Sequence, residues 1–284
     1  ETLARFLSTP LEMAMDEPWQ PWPMQRLHHA LPGAHRERPA CVLLTTGAMN
    51  PPHKGHAQLL RQARERLEGA GYQVWAAWMS PSHDGYVGPK AISKRTVHLS
   101  SKLRLHLAHL LVLGDPFVAV GYWEASKKGS WPDFPQVAEE LQRTLKRLVD
   151  DQAELMPTLN LLLGESGWPR VFYACGTDHA ERCGLYDGFG RFCADVGVVV
   201  VPRQDEAPEP ERPPEVFVAS AAPGEVAGFS STKIRESFQI AGKDEHAYLC
   251  NAICEAAADF MIRPTREQFE EFRTDFEKLH LSES

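Results

Sequence analysis

The sequence predicts an α/β fold with a doubly wound, mostly parallel, Rossmann-like sheet that is flanked by helices on both faces. Two observations support this prediction. Short apolar runs of the kind that parallel sheets bury on both faces recur along the chain. Segments with an apolar stripe at helical spacing lie between them. This alternation of strands and helices is typical of a doubly wound sheet.

The individual elements follow from these patterns in chain order. Six apolar runs are predicted as strands: Cys41–Thr46, Gln73–Met79, Phe117–Gly121, Arg170–Cys175, Val196–Pro202 and Glu215–Ala219. Three stretches are predicted as amphipathic helices: His56–Leu67, Lys102–Leu113 and Val137–Val149. After Pro264 a charged helix is predicted, on which Phe269, Phe272 and Phe276 form the packing stripe.

The 284 residues divide into three parts by composition. Residues 1–39 are rich in Pro, Trp, His and Arg without sustained periodicity, which favours an extension wrapped on the surface. Residues 40–262 contain all six predicted strands and are assigned to one α/β domain. Residues 263–284 are assigned to a charged helical tail. An acidic, proline-rich stretch at residues 204–214 predicts a surface loop within the domain.

Charge and cysteine content exclude several classes of protein. The formal net charge is −8, which argues against nucleic acid or an anionic membrane as the main partner. The six cysteines show no C-x-x-C pair and no regular framework, so a reducing compartment is expected. Cytoplasm or nucleus is favoured, with an organelle as the alternative. No run of about 18 apolar residues and no signal-peptide pattern occurs. Whether the chain forms a homo-oligomer is left open.

Two separated motifs predict a triphosphate-binding clamp. The first, Thr45 to His56 (TTGAMNPPHKGH), lies between a predicted strand and a predicted helix, where free backbone N–H groups and the helix dipole favour an anion. The second, Ser230 to Arg235 (SSTKIR), supplies hydroxyls and two cations. No G-x-x-x-x-G-K-[ST] sequence occurs, which argues against kinases and ATPases of the P-loop type.

Each motif also has a purely structural interpretation. Ser-Ser-Thr before a helix is, taken alone, most often an ordinary N-cap. A lone histidine is usually structural or solvated, and this interpretation is kept for His98, His106, His109, His179 and His246. The two motifs occur together in one chain, and for His53, His56 and the Ser230 to Arg235 motif we therefore favour phosphate binding.

The chain resembles the nicotinamide mononucleotide (nicotinate mononucleotide) adenylyltransferases of the nucleotidyltransferase superfamily. The run Asn50 to His56 is similar to the superfamily's H-x-G-H motif, and the Ser230 to Arg235 run is similar to its S-S-T-x-x-R motif. Shorter similarities lie between them, at Ser80-Pro81, Tyr86, Arg104, Val120 to Glu124 (VGYWE) and Cys175 to Asp178 (CGTD). The resemblance covers roughly residues 40 to 262.

This resemblance implies that the phosphate of a mononucleotide attacks the α-phosphorus of ATP, giving NAD or deamido-NAD and pyrophosphate. Mg²⁺ is expected with ATP and with few or no protein ligands. His56, His53 and Arg235 are the implied catalytic residues. The implied contacts of ATP and its phosphates are Thr46, Gly47, Asn50, Gly55, Ser230, Ser231, Thr232 and Lys233.

The remaining implied contacts belong to the ribose and the mononucleotide. Gly176 and Asp178 would meet the ribose and adenosine, with an N-cap as the alternative role for Asp178. Trp123 would stack on the nicotinamide ring, with core packing as its alternative. Phe189 or Tyr186 would complete that pocket. Lys90 would bind the mononucleotide phosphate, with a solvated loop lysine as the alternative.

Other functions are compatible with the same motifs. A nucleotide-binding sensor or chaperone-like module would keep the fold without turnover. A related nucleotidyltransferase would use another phosphorylated acceptor. Class I synthetases share a related H-x-G-H motif, but the acidic charge balance argues against an RNA partner.

Overall fold

The computed structural model of the protein describes residues 20–30, 37–151, 168–203, 206–221, 224–239 and 243–280. Within these ranges, six strands form one sheet: β1 (Ala40–Gly47), β2 (Gln73–Pro81), β3 (Val118–Val120), β4 (Arg170–Gly176), β5 (Gly197–Val201) and β6 (Val216–Val218). Their order is β3-β2-β1-β4-β5-β6, and every neighbouring pair is parallel. The predicted parallel, doubly wound sheet is confirmed, and each predicted strand overlaps an observed one.

Twelve α-helices are found in the described residues. They are α1 (Gln25–Ala30), α2 (Lys54–Gly69), α3 (Asp84–Ser93), α4 (Ser101–Leu111), α5 (Trp123–Ser126), α6 (Phe134–Asp151), α7 (Thr177–Cys183), α8 (Ser231–Gln239), α9 (Lys243–Ala252), α10 (Glu255–Ile262), α11 (Arg266–Glu271) and α12 (Arg273–His280). The three predicted amphipathic helices correspond to α2, α4 and α6. The sequence did not predict α3, because two glycines and Pro89 within it lower the helix propensity.

Side chains that alternate along each strand build two cores, one on each face of the sheet. In β1, Val42 and Leu44 pack into one core, and Cys41 and Leu43 pack into the other. The first core is covered by α1 and α6, and the second by α2 and α4. Helices on both faces bury the central residues of the strands, as expected for a doubly wound fold.

A third core lies among the C-terminal helices. Leu103 of α4, Ile234 of α8 and Phe276 of α12 all belong to it and are fully buried. The helix predicted after Pro264 is observed as the consecutive helices α11 and α12, of whose aromatic stripe Phe272 and Phe276 are buried. Residues on both sides of position 262 therefore share one hydrophobic core. None of the helices in the described ranges is both long and apolar enough to cross a bilayer.

Candidate active site

The candidate site lies where the strand order reverses between β1 and β4. In open α/β sheets, ligands bind beyond the carboxyl ends of the strands at such a switch point. Gly47 ends β1 and Gly176 ends β4, and the two strands are hydrogen-bonded neighbours. Helices α2 and α7 begin just beyond these strand ends, so both direct free backbone N–H groups toward this edge.

The two histidines of the first motif cap α2 reciprocally. His53 is the N-cap, and its Nδ1 accepts a hydrogen bond from the Gly55 N–H at 3.2 Å. The Nδ1 of His56 accepts from the His53 N–H at 3.0 Å. Such a capping box normally uses Ser or Thr with Glu or Gln. The structural role that was the alternative for His53 and His56 is therefore observed as helix capping. Capping uses only the Nδ1 of each ring.

Capping fixes which ring nitrogen carries the proton. Both Nδ1 atoms accept hydrogen bonds from backbone N–H groups, and a neutral ring in this arrangement carries its proton on Nε2. The Nδ1 of His56 also lies 3.3 Å from the His53 carbonyl oxygen, which would bind a proton on Nδ1, but the N–H contact is shorter and favours the Nε2–H form. Burial, the neighbouring His56 and the charge of Arg203 together lower the pKa of His53 to about 2. Burial lowers the pKa of His56 to about 4, although the nearby His53 backbone raises it. Near pH 7 the pair therefore offers two neutral Nε2–H donors.

Gly55 allows this arrangement. A Cβ at position 55 would lie 2.9 Å from both Cε1 and Nδ1 of the His53 ring, which is too close for the ring to stay in its capping position. At Gly47, by contrast, a Cβ would meet nothing nearer than Met49 Cγ at 3.9 Å. The protein itself thus requires a glycine at position 55, whereas a Cβ at position 47 would make only ordinary contacts with Met49.

The second motif begins α8 and contacts the first motif directly. The Ser230 hydroxyl caps the helix by accepting from the Lys233 N–H at 3.2 Å. Ser231 Oγ donates to the carbonyl of Pro51 at 2.7 Å. The exposed Lys233 ammonium donates to the Gly228 carbonyl at 3.3 Å. The N-cap role is therefore taken by Ser230, and Ser231 holds the two motifs together.

Arg235 is the second link between the motifs. Its Nε donates to Thr96 Oγ1 at 2.7 Å, its Nη1 donates to the Asn50 carbonyl, and its Nη2 donates to Thr232 Oγ1 at 3.2 Å. No carboxylate in the described residues is within ion-pair distance of it. Burial lowers the pKa of Arg235, and the nearby Glu236 raises it. This half-buried cation therefore holds three segments together while its charge remains without a paired anion in that part of the chain.

Asn50 fixes the turn between β1 and α2. Its side chain is buried, with Nδ2 donating to the Val97 carbonyl at 2.7 Å and Oδ1 accepting from the Leu99 N–H at 2.9 Å. The amide is thus used to attach the turn to the segment before α4. Its carbonyl, bound by Arg235, extends this attachment to α8.

Arg104 also binds the turn between β1 and α2. Its side chain is fully buried and donates to the Ala48 carbonyl at 2.8 Å and to Asp84 Oδ1 at 2.8 Å. Burial opposes ionisation of Asp84, but hydrogen bonds from the Ser101 N–H, Arg104 and His98 lower the pKa of the carboxyl to about 2. Arg104 is a structural ion-pair residue that holds the loops of the site in place.

Tyr173 was missed by sequence reasoning and joins the two strand ends. Its buried hydroxyl lies 2.9 Å from Thr46 Oγ1 and 3.3 Å from His179 Nε2. Burial raises the pKa of this phenol, so it stays protonated. A tyrosine inside an apolar strand gives no sequence signal for such a link, because only strand pairing places it next to Thr46.

At the end of β4, Gly176 is the N-cap of α7, and Asp178 is exposed in the first turn of that helix. The alternative role of Asp178 as the N-cap is therefore wrong, since Gly176 occupies that position. An exposed carboxylate beside a helix N-terminus at the switch point has the geometry of a ribose hydroxyl acceptor.

Trp123 begins the short helix α5 after β3 and is half-buried. Part of its ring packs against the first core, and the Lys127 ammonium lies 4.6 Å from its ring centroid. The Trp123 side chain thus packs against the core with one part and exposes another part to solvent. The indole face thus already attracts one cation of the protein itself.

Phe189 and Tyr186 do not reach the site surface in this structure. Phe189 is 0% exposed, and its ring contacts those of Phe134, Tyr173 and Phe192. Tyr186 is 3% exposed. A ring without exposed surface cannot stack on a ligand, so the structure corrects the expected pairing of Trp123 with one of these two side chains. The sequence did not predict this burial because only the folded turns after α7, beginning with a single 3-10 turn at Leu185–Asp187, bring both rings into the first core.

Lys90 lies on α3, the helix that the sequence did not predict. Its ammonium donates to the Tyr86 hydroxyl at 3.3 Å and lies 5.1 Å from that ring's centroid. Its charge also contributes to lowering the pKa of His179, after burial and the charge of Arg182. Lys90 is therefore close to the β4 side of the site and is not a free loop lysine. In the described ranges, no group of three His, Cys, Asp or Glu side chains has a metal-binding arrangement.

Comparison with known proteins shows similarity to one group of enzymes. No family model matches the chain. The chain is 30% identical over 173 residues to a protein of Oryza sativa subsp. japonica named nicotinamide/nicotinic acid mononucleotide adenylyltransferase, which covers 59% of this chain and 61% of the relative. An Arabidopsis thaliana protein of the same name is 28% identical over 192 residues, covering 66% and 71%. The chain thus spans less than two thirds of the rice relative's length.

Among solved structures, the chain is similar to Plasmodium falciparum nicotinic acid mononucleotide adenylyltransferase. The complex of that protein with NaAD has a TM-score of 0.47 and 11% sequence identity to this chain. The match covers 82% of this chain and 98% of the other.

Proposed function

Because the chain is homologous to the nicotinamide/nicotinic acid mononucleotide adenylyltransferases, we propose that it joins the AMP part of ATP to nicotinamide mononucleotide, nicotinate mononucleotide or both. One observation carries the proposal from the structure. The two motifs that the sequence predicts to bind phosphate are far apart in sequence and meet at the carboxyl end of β1 through Ser231 and Arg235. The products are NAD or deamido-NAD and pyrophosphate.

The reaction needs no covalent intermediate. A phosphate oxygen of the mononucleotide forms a bond to the α-phosphorus of ATP, and the bond from that phosphorus to the oxygen bridging to the β-phosphorus breaks. The mononucleotide brings its own nucleophile, which is ionised near neutral pH. Catalysis therefore depends on alignment of the two substrates and on stabilisation of charge in the transition state.

The histidine pair supplies donors for this charge. Each Nδ1 is committed to capping α2, so each Nε2–H is free to donate to a phosphate oxygen. Donors that are already fixed in place need no reorganisation during the reaction. Loss of one such donor raises the activation free energy by about 3 kcal/mol. We assign the main phosphate-donor role to His56 and a supporting role to His53. The centroids of the two rings are 3.9 Å apart.

The departing pyrophosphate is assigned to the start of α8. Each Nη atom of Arg235 carries a further N–H beyond the hydrogen bonds described, and its charge has no paired carboxylate among the described residues. The N–H groups and hydroxyls of Ser230, Ser231 and Thr232, with Lys233, would hold the β- and γ-phosphates. Thr46, Gly47, Asn50 and Gly55 shape the turn beside them.

The nucleosides are assigned to the β3 and β4 ends of the sheet. Gly176 and Asp178 would contact the ribose of ATP, Trp123 would stack on the pyridine ring, and Lys90 would bind the mononucleotide phosphate. Mg²⁺ would enter bound to the triphosphate and neutralise it, since this ion keeps its waters and binds substrate phosphates in preference to protein cages. The six free cysteines favour a reducing compartment, and we propose the cytoplasm or nucleus.

The test is a chromatographic assay of purified protein with ATP and Mg²⁺, with the amide and acid mononucleotides in separate tubes. The expected result is NAD or deamido-NAD together with an equal amount of pyrophosphate. The matched control is His56→Glu, in which a capping acceptor is retained and the side-chain N–H donor is lost. ATP binding without dinucleotide formation from either acceptor would overturn the proposal in favour of a nucleotide sensor or another acceptor.

A further inference from the structure

The segment Gln20 to Met24 lies against the turn that joins β3 to α5. The carbonyl of Pro21 accepts hydrogen bonds from the N–H groups of Tyr122 at 2.9 Å and Trp123 at 3.3 Å. The carbonyl of Pro23 accepts from the indole N–H of Trp78 at 3.0 Å. Two successive carbonyl contacts, at positions 21 and 23, therefore attach this segment to the turn and to β2. We call residues 20–24 the strap.

The carbonyl of Pro21 replaces a missing helix cap. Helix α5 has only four residues, and its N-cap, Tyr122, makes no side-chain capping hydrogen bond. The first N–H groups of a helix lack partners within the helix, and those of a half-buried helix must be satisfied elsewhere. For Trp123 this partner comes from the strap. The direction in which α5 leaves the sheet thus depends on a carbonyl about a hundred positions earlier in the chain.

Trp22 anchors the strap. It is 3% exposed and packs edge-on against Trp78, with ring centroids 6.4 Å apart. Its ring lies so close to Gly121 that a Cβ there would be 2.4 Å from Trp22 Cζ3 and 2.9 Å from Cε3. Because the interior is closely packed, the buried Trp22 indole can move away only with a loss of packing energy. The strap can therefore occupy this position only because residue 121 has no side chain.

We propose that the strap is a positioning element for the mononucleotide pocket, with Trp22 as its positioning residue. It holds the turn whose next residue, Trp123, is assigned to the pyridine ring. The inference rests on the proposed function, because that function gives Trp123 its ligand. Loosening the strap should weaken binding of the mononucleotide more than that of ATP, whose assigned contacts lie at the ends of β1 and β4.

The experiment compares Trp22→Ala with Trp75→Ala in the full chain. The two tryptophans are matched, since both are buried in the same core, at 3% and 5% exposure, and neither indole N–H has a hydrogen-bond partner in the described residues. Trp75 lies in the amino-terminal half of β2, away from the carboxyl-end site. Gly121→Ala displaces the Trp22 ring without removing it, and Trp22→Phe keeps an aromatic anchor.

For each variant, KM for the mononucleotide and for ATP, kcat and the melting temperature are measured. We expect Trp22→Ala and Gly121→Ala to raise KM for the mononucleotide about tenfold while KM for ATP changes less than about twofold. Trp22→Phe should restore most of the mononucleotide affinity. Trp75→Ala should lower the melting temperature without this split. If Trp22→Ala does not fold, Gly121→Ala and Trp22→Phe provide the comparison.

Two outcomes would overturn the inference. Equal changes in both KM values would assign the strap a purely structural role, as would the same split in Trp75→Ala. Calorimetric titration with mononucleotide separates this failure from failure of the proposed function. A wild-type protein that binds mononucleotide without turnover, and loses binding in Trp22→Ala, would support the strap and contradict the reaction. A wild-type protein that binds no mononucleotide would overturn both.

Discussion

The guanidinium of Arg235 donates a hydrogen bond to the backbone carbonyl of Asn50, 185 positions earlier in the chain. The Asn50 side chain is at the same time bonded to the backbone of Val97 and Leu99. Together with the hydrogen bond from Ser231 to the Pro51 carbonyl, this cation holds the start of α8 against the turn after β1. The assembly of the proposed phosphate site depends on these contacts.

Replacing Arg235 by Lys should lower kcat about a hundredfold even though the charge is kept. An ammonium cannot bond simultaneously to the Asn50 carbonyl, Thr96 and Thr232 as the planar guanidinium does. Steady-state kinetics with saturating ATP would test this. Arg235→Ala serves as the comparison. If Lys retained most of the activity while Ala lost it, charge alone would be the contribution of Arg235.

His56→Glu and His56→Ala should separate capping from catalysis. Glutamate at this position can accept from the His53 N–H as the Nδ1 of His56 does, so the melting temperature of His56→Glu should stay close to wild type. Both variants lack an N–H donor in the side chain, and each should lose at least about a hundredfold in kcat. The alanine variant should also melt earlier. Wild-type rates in a folded glutamate variant would refute the catalytic assignment.

Trp123→Ala should raise KM for the mononucleotide about tenfold, which corresponds to about 1.4 kcal/mol of lost ring contact. The effect on kcat at saturation should be small, since stacking holds the ring equally in the ground and transition states. Initial rates over a range of mononucleotide concentrations give both constants. Trp131→Ala is the control, because Trp131 is 44% exposed and is assigned to no substrate. An unchanged KM in Trp123→Ala would leave only the packing role.

Phe189→Ala should reduce the free energy of unfolding by about 4 kcal/mol, because the ring is fully buried in a cluster of aromatic side chains. Chemical denaturation measures this loss. Phe192→Ala removes a neighbouring ring that is 40% exposed and should cost much less. Should Phe189→Ala instead leave stability intact and raise KM for the mononucleotide, the ring would belong to the pocket after all.

Glu124 should make stability depend on pH in an unusual direction. Burial raises the pKa of its carboxyl to about 7, although Ser82, Ser80 and Arg104 oppose this. Between the ordinary pKa of a glutamate and about pH 7, the folded state binds the proton that the unfolded state has released, so stability falls as pH rises through this window. Glu124→Gln should therefore gain stability relative to wild type from about pH 5 to about pH 8.

The control for this measurement is Asp84→Asn. The pKa of Asp84 is held at about 2, below its ordinary value, so its contribution is lost only as pH falls toward that value. The stability difference between Asp84→Asn and wild type should stay constant between about pH 5 and about pH 8. A constant difference for Glu124→Gln as well would show that Glu124 is ionised throughout this range.

Periodicity was sufficient to predict the sheet. Apolar runs such as Arg170–Cys175 and stripes such as that of His56–Leu67 are local consequences of burial on two faces, and each corresponds to an observed element. Helix α3 was missed because Gly85, Gly88 and Pro89 reduce its local signal, and tertiary contacts such as that of Asp84 with Arg104 stabilise it.

The sequence by itself determined the strands, the longer amphipathic helices and the two motifs with their polar and charged side chains, because residue type, spacing and helix-start signals are local properties. Only the tertiary structure decided that Ser231 bonds to Pro51, that Tyr173 joins Thr46 to His179, that Phe189 lies in the core and that Trp22 covers Gly121. These relationships depend on strand order and on contacts between residues far apart in the chain. Local propensity carries no information about such contacts, since they form only when packing brings the segments together.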